Sequence, residues 1–188
     1  ITINDAVATD ITATDITTIH STSTGALIVS NAIDIHGSAS DVAAAFSAID
    51  NNTGNARAII NGNNYTTTQL KNINDATTGA IILNTTNVAL SGTAADLVAA
   101  FAGNITEHTG NITITDTPTV AQLAAIDAAT TGTISINGGA TSDPLTGTTA
   151  QVLSSLASLS AYTGNITITD PADTAIQAAD LADVGSRT

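Results

Sequence analysis

The chain has 188 residues, 16 acidic and three basic side chains, and a formal net charge of −13. With Arg57, Lys71 and Arg187 as its only Lys or Arg residues, a phosphate footprint for nucleic acid and docking on an anionic membrane surface are both excluded. The lack of cysteine removes disulfides, thiol catalysis and zinc–thiolate sites, and two Tyr, two Phe and no Trp leave burial to Ile, Leu, Val and Ala.

The first segment, Ile1-Thr2-Ile3-Asn4-Asp5, alternates apolar and polar residues and predicts a half-buried strand. A helical segment with Ile16 and Ile19 follows and closes at Thr24-Gly25. The second coil is longer. Ile33-Asp34-Ile35-His36-Gly37 predicts a further strand, and Val42, Phe46 and Ile49, spaced by Ala, predict a helix closing before Gly54. The third runs through Gln69-Leu70-Lys71-Asn72-Ile73 to Gly79. The fourth is long again, with Val88-Ala89-Leu90-Ser91-Gly92 before a helix of Leu97, Phe101 and Ile105, and it ends at Gly110. The fifth opens on Asn111-Ile112-Thr113-Ile114-Thr115-Asp116 and repeats the third helix as Gln122-Leu123-Ala124-Ala125-Ile126 before Gly132. In the sixth, a strand at Ile134-Ser135-Ile136, a Gly138-Gly139 turn and Pro144-Leu145-Thr146-Gly147 precede a helix of Val152, Leu156 and Leu159, ending at Gly164. The seventh repeats the Asn111–Asp116 hexapeptide as Asn165–Asp170 and carries an apolar helix from Ile176 to Val184 before Gly185.

The Thr-Gly glycines at 25, 54, 79, 110, 132 and 164 are spaced by 29, 25, 31, 22 and 32 residues. Long and short coils alternate, so the chain repeats every two coils, about 54 residues. The expected fold is α/β: one solenoid domain over residues 1–188, of about seven strand–helix coils with a parallel sheet. Short coils read as strand–helix and long coils as strand–turn–strand–helix. The glycines read as left-handed helix C-termini. Ser38 or Ser40, Thr93, Asp116 with Pro118, Thr148 or Thr149, and Asp170 with Pro171 read as helix starts. Strands stack about 4.8 Å apart and helices about 8–10 Å, so alternate helices are expected in two rows, the alternative being one curved row.

Chemistry is sparse. His20, His36 and His108 fall at different repeat positions without metal-ligand spacing, His20 and His108 near expected helix C-termini. No nucleophile elbow or phosphate loop is present. The near absence of aromatic platforms speaks against a glycosidase carboxylate pair, and the chain is expected not to be an enzyme. Calcium is the candidate cofactor, since hard oxygen ligands at turns suit it. Asp5, Asp10 and Asp15 recur every five residues, and Asp116 and Asp170 occupy equivalent positions, with helix capping as their other reading. Six sequons, at Asn51, Asn64, Asn84, Asn104, Asn111 and Asn165, are compatible with surface glycosylation. The Thr113/Thr115 and Thr167/Thr169 pairs resemble an ice-binding threonine row, but Arg57, Ile82 and Ser135 interrupt it.

Residues 109–132 and 89–103 resemble repeat tracts of very large Ala/Thr/Asp-rich surface or secreted proteins of bacteria, notably marine cyanobacteria. The resemblance covers nearly the whole chain. It implies a place in a cell-surface layer, adhesin or extracellular filament, and brings no catalytic residues. The expectation is therefore an extracellular or cell-surface structural repeat protein that self-assembles. The alternative is a calcium-dependent adhesin module with a glycan as candidate partner; ice-binding and carbohydrate-active solenoids rank below it. Its partners are expected to be other copies, head to tail or laterally, through Ile1, Ile3, Ile176, Leu181 and Val184, with no nucleic acid and no membrane insertion. The start on a strand, without an initiator Met or leader, and the close at Gly185 are expected of a processed product or a segment of a longer repeat protein.

Overall fold

A computed structural model of the protein describes residues 1–136, 144–157, 159 and 162–187. The Gly138-Gly139 turn expected from the sequence lies outside them. Packing divides the chain into two compact units: Ile1–Val88 with Ala99–Glu107, and Ala89–Val98 with His108–Thr188. The protein is α/β, with seven helices and parallel sheets among the described residues.

In the first unit the elements run β1 (Thr2–Ile3), β2 (Asp10–Thr12), α1 (Ala13–Ser21), β3 (Ile28–Val29), β4 (Asp34–Gly37), α2 (Ala39–Ala48), β5 (Asn51–Asn52), β6 (Arg57–Ile60), α3 (Thr67–Ala76) and β7 (Ile81–Leu83). They form two parallel sheets, β1-β3-β5 and β2-β4-β6-β7. β8 (Leu90–Gly92), α4 (Ala94–Phe101), β9 (Ile112–Ile114), α5 (Val120–Ala129), β10 (Ile134–Ile136), β11 (Leu145–Gly147), α6 (Thr149–Leu156), β12 (Ile166–Ile168) and α7 (Ala178–Ser186) follow. Here the sheets are β8-β9-β10 and β11-β12, again parallel.

The register carries the repeat. Gly37 pairs with Ile60 and Ile60 with Leu83. In the second unit Gly92 pairs with Ile114 and Ile114 with Ile136, and Gly147 pairs with Ile168. β6, β9 and β12 thus each lie beside the second strand of the long coil before them, whereas the first coil, expected to carry one strand, carries both β1 and β2 before its helix. β6 and β9 also pair with the first strand of the long coil after them. The long coils have the expected two strands before each helix, as β3-β4-α2, β7-β8-α4 and β10-β11-α6.

Alternation sets burial. Ile112, Ile114 and Ile134 are fully buried, while Thr115, Thr167 and Thr169 are exposed. Thr113 is half-buried, its hydroxyl 3.4 Å from that of Ser135 on the neighbouring strand. Helices add Ile16, Val42, Leu70, Ile73, Leu97, Leu123, Ile126 and Val152 to the cores. Each such side chain contributes about 1.5–3 kcal/mol. Ile136, Leu159, Ile166 and Ile168, on the apolar side of the same patterns and so expected to be buried, are half-buried.

Two local readings of the sequence are corrected. In each unit the helices pack in chain order, α1 on α2 on α3 and α5 on α6 on α7, with no comparable contact between alternate helices among the described residues. They form one row per unit, not two. Nor do the Thr-Gly glycines supply left-handed helix ends: among the described residues the positive-φ glycines are Gly62 and Gly103. At Gly54, Gly79 and Gly132 an added Cβ would run into the backbone of Asn31, of Asn55 and Ala56, and of Gly110. These glycines let adjacent coils approach, a second role of glycine.

Candidate functional site

The expected calcium ligands are placed on separate elements. Asp10 lies on β2, Asp15 in the first turn of α1, and Asp5 in the connection between β1 and β2, where its carbonyl accepts from Asn31 Nδ2 at 2.7 Å. Asp116 accepts from Ala94 N at 2.7 Å. Asp170 accepts from Thr149 N at 2.8 Å and from Thr149 Oγ1 at 2.6 Å. Among the described residues no group of three or more His, Cys, Asp or Glu side chains converges as a metal site. Calcium takes six to eight oxygens, and Asp116 and Asp170 already spend oxygens on helix amides.

That capping differs from the sequence reading. α5 begins instead at Thr119, whose hydroxyl accepts from Gln122 N in a capping box, and α7 begins after Gln177. Asp116 and Asp170 cap the helix of the preceding coil. Thr93 and Thr148 take the third amide of α4 and α6, and the aspartate of the next coil takes the first. Two of the four free amides of each helix start are thereby satisfied. The Thr149 hydroxyl, followed by its N–H, holds Asp170 below the ordinary carboxylate range.

His20 lies in the last turn of α1, as expected. His108 does not end a helix. It is fully buried and bridges to Thr130 in the next coil, Nδ1 to Oγ1 at 3.3 Å. The Thr130 hydroxyl donates to Gly110 O and accepts from Gly132 N. Its remaining lone pair takes a proton from His108, which assigns the Nδ1–H tautomer. Asn52 does the same in the first unit, its Nδ2 donating to Thr77 Oγ1 at 3.2 Å.

The expected assembly residues divide. Ile1, Ile176 and Leu181 are exposed, at 57%, 37% and 47%, whereas Ile3 and Val184 are each 7% exposed and buried in their own units. Ile3 pairs beside Val29, and Val184 is the buried residue of α7. With Val7, the three exposed side chains make up the exposed large apolar residues among those described, and all four flank the first or last coil.

One cluster escaped the sequence reading. The outward face of sheet β2-β4-β6-β7 carries Asp10 beside Asp34 beside Arg57 in one cross-strand row. Arg57 donates to Asp34 through Nε and Nη2, both at 2.5 Å, and the Asp34 side chain is 9% exposed. Two residues further along lie His36 and Ile59. Asp10, His36, Ile59 and Asn61 line a cleft of about 190 Å³. Asn61, an exposed residue, accepts at Oδ1 from Asn84 Nδ2 at 2.6 Å. Comparison with protein families, curated proteins and solved structures gives no match for this chain.

Proposed function

We propose that the protein is an architectural, non-catalytic repeat element, a solenoid segment that acts outside the cell or at its surface and propagates by coil-on-coil addition. One observation carries this reading: among the described residues the exposed large apolar side chains Ile1, Val7, Ile176 and Leu181 all lie in the first and last coils, whose strands β1, β2 and β12 each have one free edge. β1 pairs only with β3, β2 only with β4, and β12 only with β11 among the described strands. An open strand edge beside uncovered apolar surface is a template for another strand. Repetition of such a heterologous contact gives a filament or a ring. The charge of −13 with three cations suits a surface kept soluble by self-repulsion except where apolar ends meet.

The test is sedimentation velocity and negative-stain imaging of the full chain across a concentration series. Concentration-dependent oligomers are expected, and Ile1→Lys with Leu181→Lys should return them to monomer with unchanged circular dichroism. A wild-type chain that stays monomeric throughout, or a double variant that assembles as before, would overturn the proposal.

A further inference from the structure

The cleft on sheet β2-β4-β6-β7 stands out against the repeat itself. Strand registers and the Asn61 N to Gly37 O, Thr115 N to Gly92 O and Thr169 N to Gly147 O bonds fix which positions correspond. The outward positions held by Ser91, Thr113 and Thr115 in one repeat, and by Thr146, Thr167 and Thr169 in another, are held here by His36, Ile59 and Asn61. The ion pair follows the same rule. Asp34 and Arg57 stand where the other repeats have Ala89 and Asn111, or Pro144 and Asn165. Ser and Thr satisfy the fold at the His36, Ile59 and Asn61 positions twice over, as do Asn at the Arg57 position and Ala or Pro at the Asp34 position, so stability does not require the larger set. The departures fall on one face, beside Asp10, and three of them, His36, Ile59 and Asn61, line the cleft with it.

From this convergence we infer that the cleft lined by Asp10, His36, Ile59 and Asn61 binds a single ring of a neutral sugar. The Asp10 carboxylate only accepts hydrogen bonds, and the Asn61 amide nitrogen only donates them. His36 does either. Among the described residues no hydrogen bond or ion pair engages the Asp10 carboxylate, the His36 ring or the Asn61 amide nitrogen, while the Asn61 oxygen is held by Asn84. A ligand with adjacent hydroxyls, each both donor and acceptor, answers that mixture. Ile59 supplies an apolar floor for a sugar's C–H face. An anion would meet Asp10 without a free counter-charge, because Arg57 is engaged by Asp34. A metal ion would find two strong ligands where about four are needed. At about 190 Å³ the cleft is smaller than the ~300–1,000 Å³ of drug-sized sites, which suits one ring and not an oligosaccharide.

The experiment is an NMR titration of the full chain with glucose, galactose, mannose and N-acetylglucosamine, each to about 100 mM, in EDTA. At least one sugar should give saturable shifts at the His36 ring and the Asn61 side-chain amide, with a millimolar dissociation constant. His36→Ser with Asn61→Thr installs the residues of the equivalent repeat, so the fold should hold while affinity drops about tenfold or more. No response to any of the four sugars, shifts that persist unchanged in the double variant, or shifts that appear only when zinc replaces EDTA would each overturn the assignment.

Discussion

Asp170 accepts both the backbone N–H and the hydroxyl of Thr149, at 2.8 and 2.6 Å, and so caps a helix that ended before its own coil began. These bonds favour the carboxylate and lower its pKa, the hydroxyl contributing most. A depressed carboxylate adds stability that is present above its unfolded pKa of about 4 and is lost as pH falls through the still lower folded value. The second unit is therefore expected to resist acid down to about pH 4 and to weaken below it. Asp170→Asn keeps an acceptor without the charge, and should flatten that acid limb of a urea-midpoint profile. An identical acid limb in the variant would show that the linkage lies elsewhere.

Gly132 and Gly25 occupy matching Thr-Gly dipeptides but differ in what surrounds them. A Cβ at Gly132 would collide with the Gly110 backbone, while at Gly25 it would meet nothing within 4 Å. Gly132→Ala should cost about 1–3 kcal/mol or more, since backbone has to move. Gly25→Ala should fall within about 0.5 kcal/mol of wild type. Thermal melts of the two variants distinguish close approach from the left-handed helix end that the sequence suggested, which would penalise both alike.

The fold was legible where the signal is local. The alternation of Ile112 and Ile114 against Thr113 and Thr115 gave the buried face, and the 3–4 spacing of Val42 and Phe46 or Val152 and Leu156 gave the helices. Recurrence of Thr-Gly showed that there is a repeat, but not why the glycine is needed, because the clash at Gly132 comes from a residue 22 positions earlier. Asp116 was misread for the same reason: a cap reads as local until the fold brings Ala94, 22 positions earlier, to it. The cleft was hidden because Asp10 on β2, His36 on β4 and Asn61 just after β6 are brought together only by strand register. A sequence signal did exist. Where the later repeats write Ser91, Asn111 and Thr113 at outward positions, this repeat writes His36, Arg57 and Ile59.

His108 and Asn52 perform one task with different side chains, each donating to a buried threonine hydroxyl in the next coil. His108→Ala removes that donor and leaves a cavity, an expected loss of about 2–4 kcal/mol. His108→Asn restores the donor and should recover all but about 1 kcal/mol. Chemical denaturation of the two variants gives the comparison. Equal losses would mean that the ring's packing matters and its Nδ1–H does not.

Arg57 and Asp34 set the last test, because the second unit shows what the same positions look like without them. Asp34 is 7% exposed and its carboxylate is held by both Nε and Nη2 of Arg57. Arg57→Ala strands that carboxylate beside Asp10, and the half-exposed setting of the arginine limits the expected loss to about 1–3 kcal/mol. Lys supplies a point charge without the two-pronged geometry, so Arg57→Lys should recover only part. Asp34→Ala with Arg57→Asn reproduces Ala89 and Asn111 of the second unit, and removes both charges together. That double variant should lie within about 1 kcal/mol of wild type, since replacing a pair costs far less than orphaning one member. A double-mutant cycle on denaturation midpoints measures the coupling. A double variant as unstable as Arg57→Ala would show that these side chains shape the sheet itself and are not an addition to it.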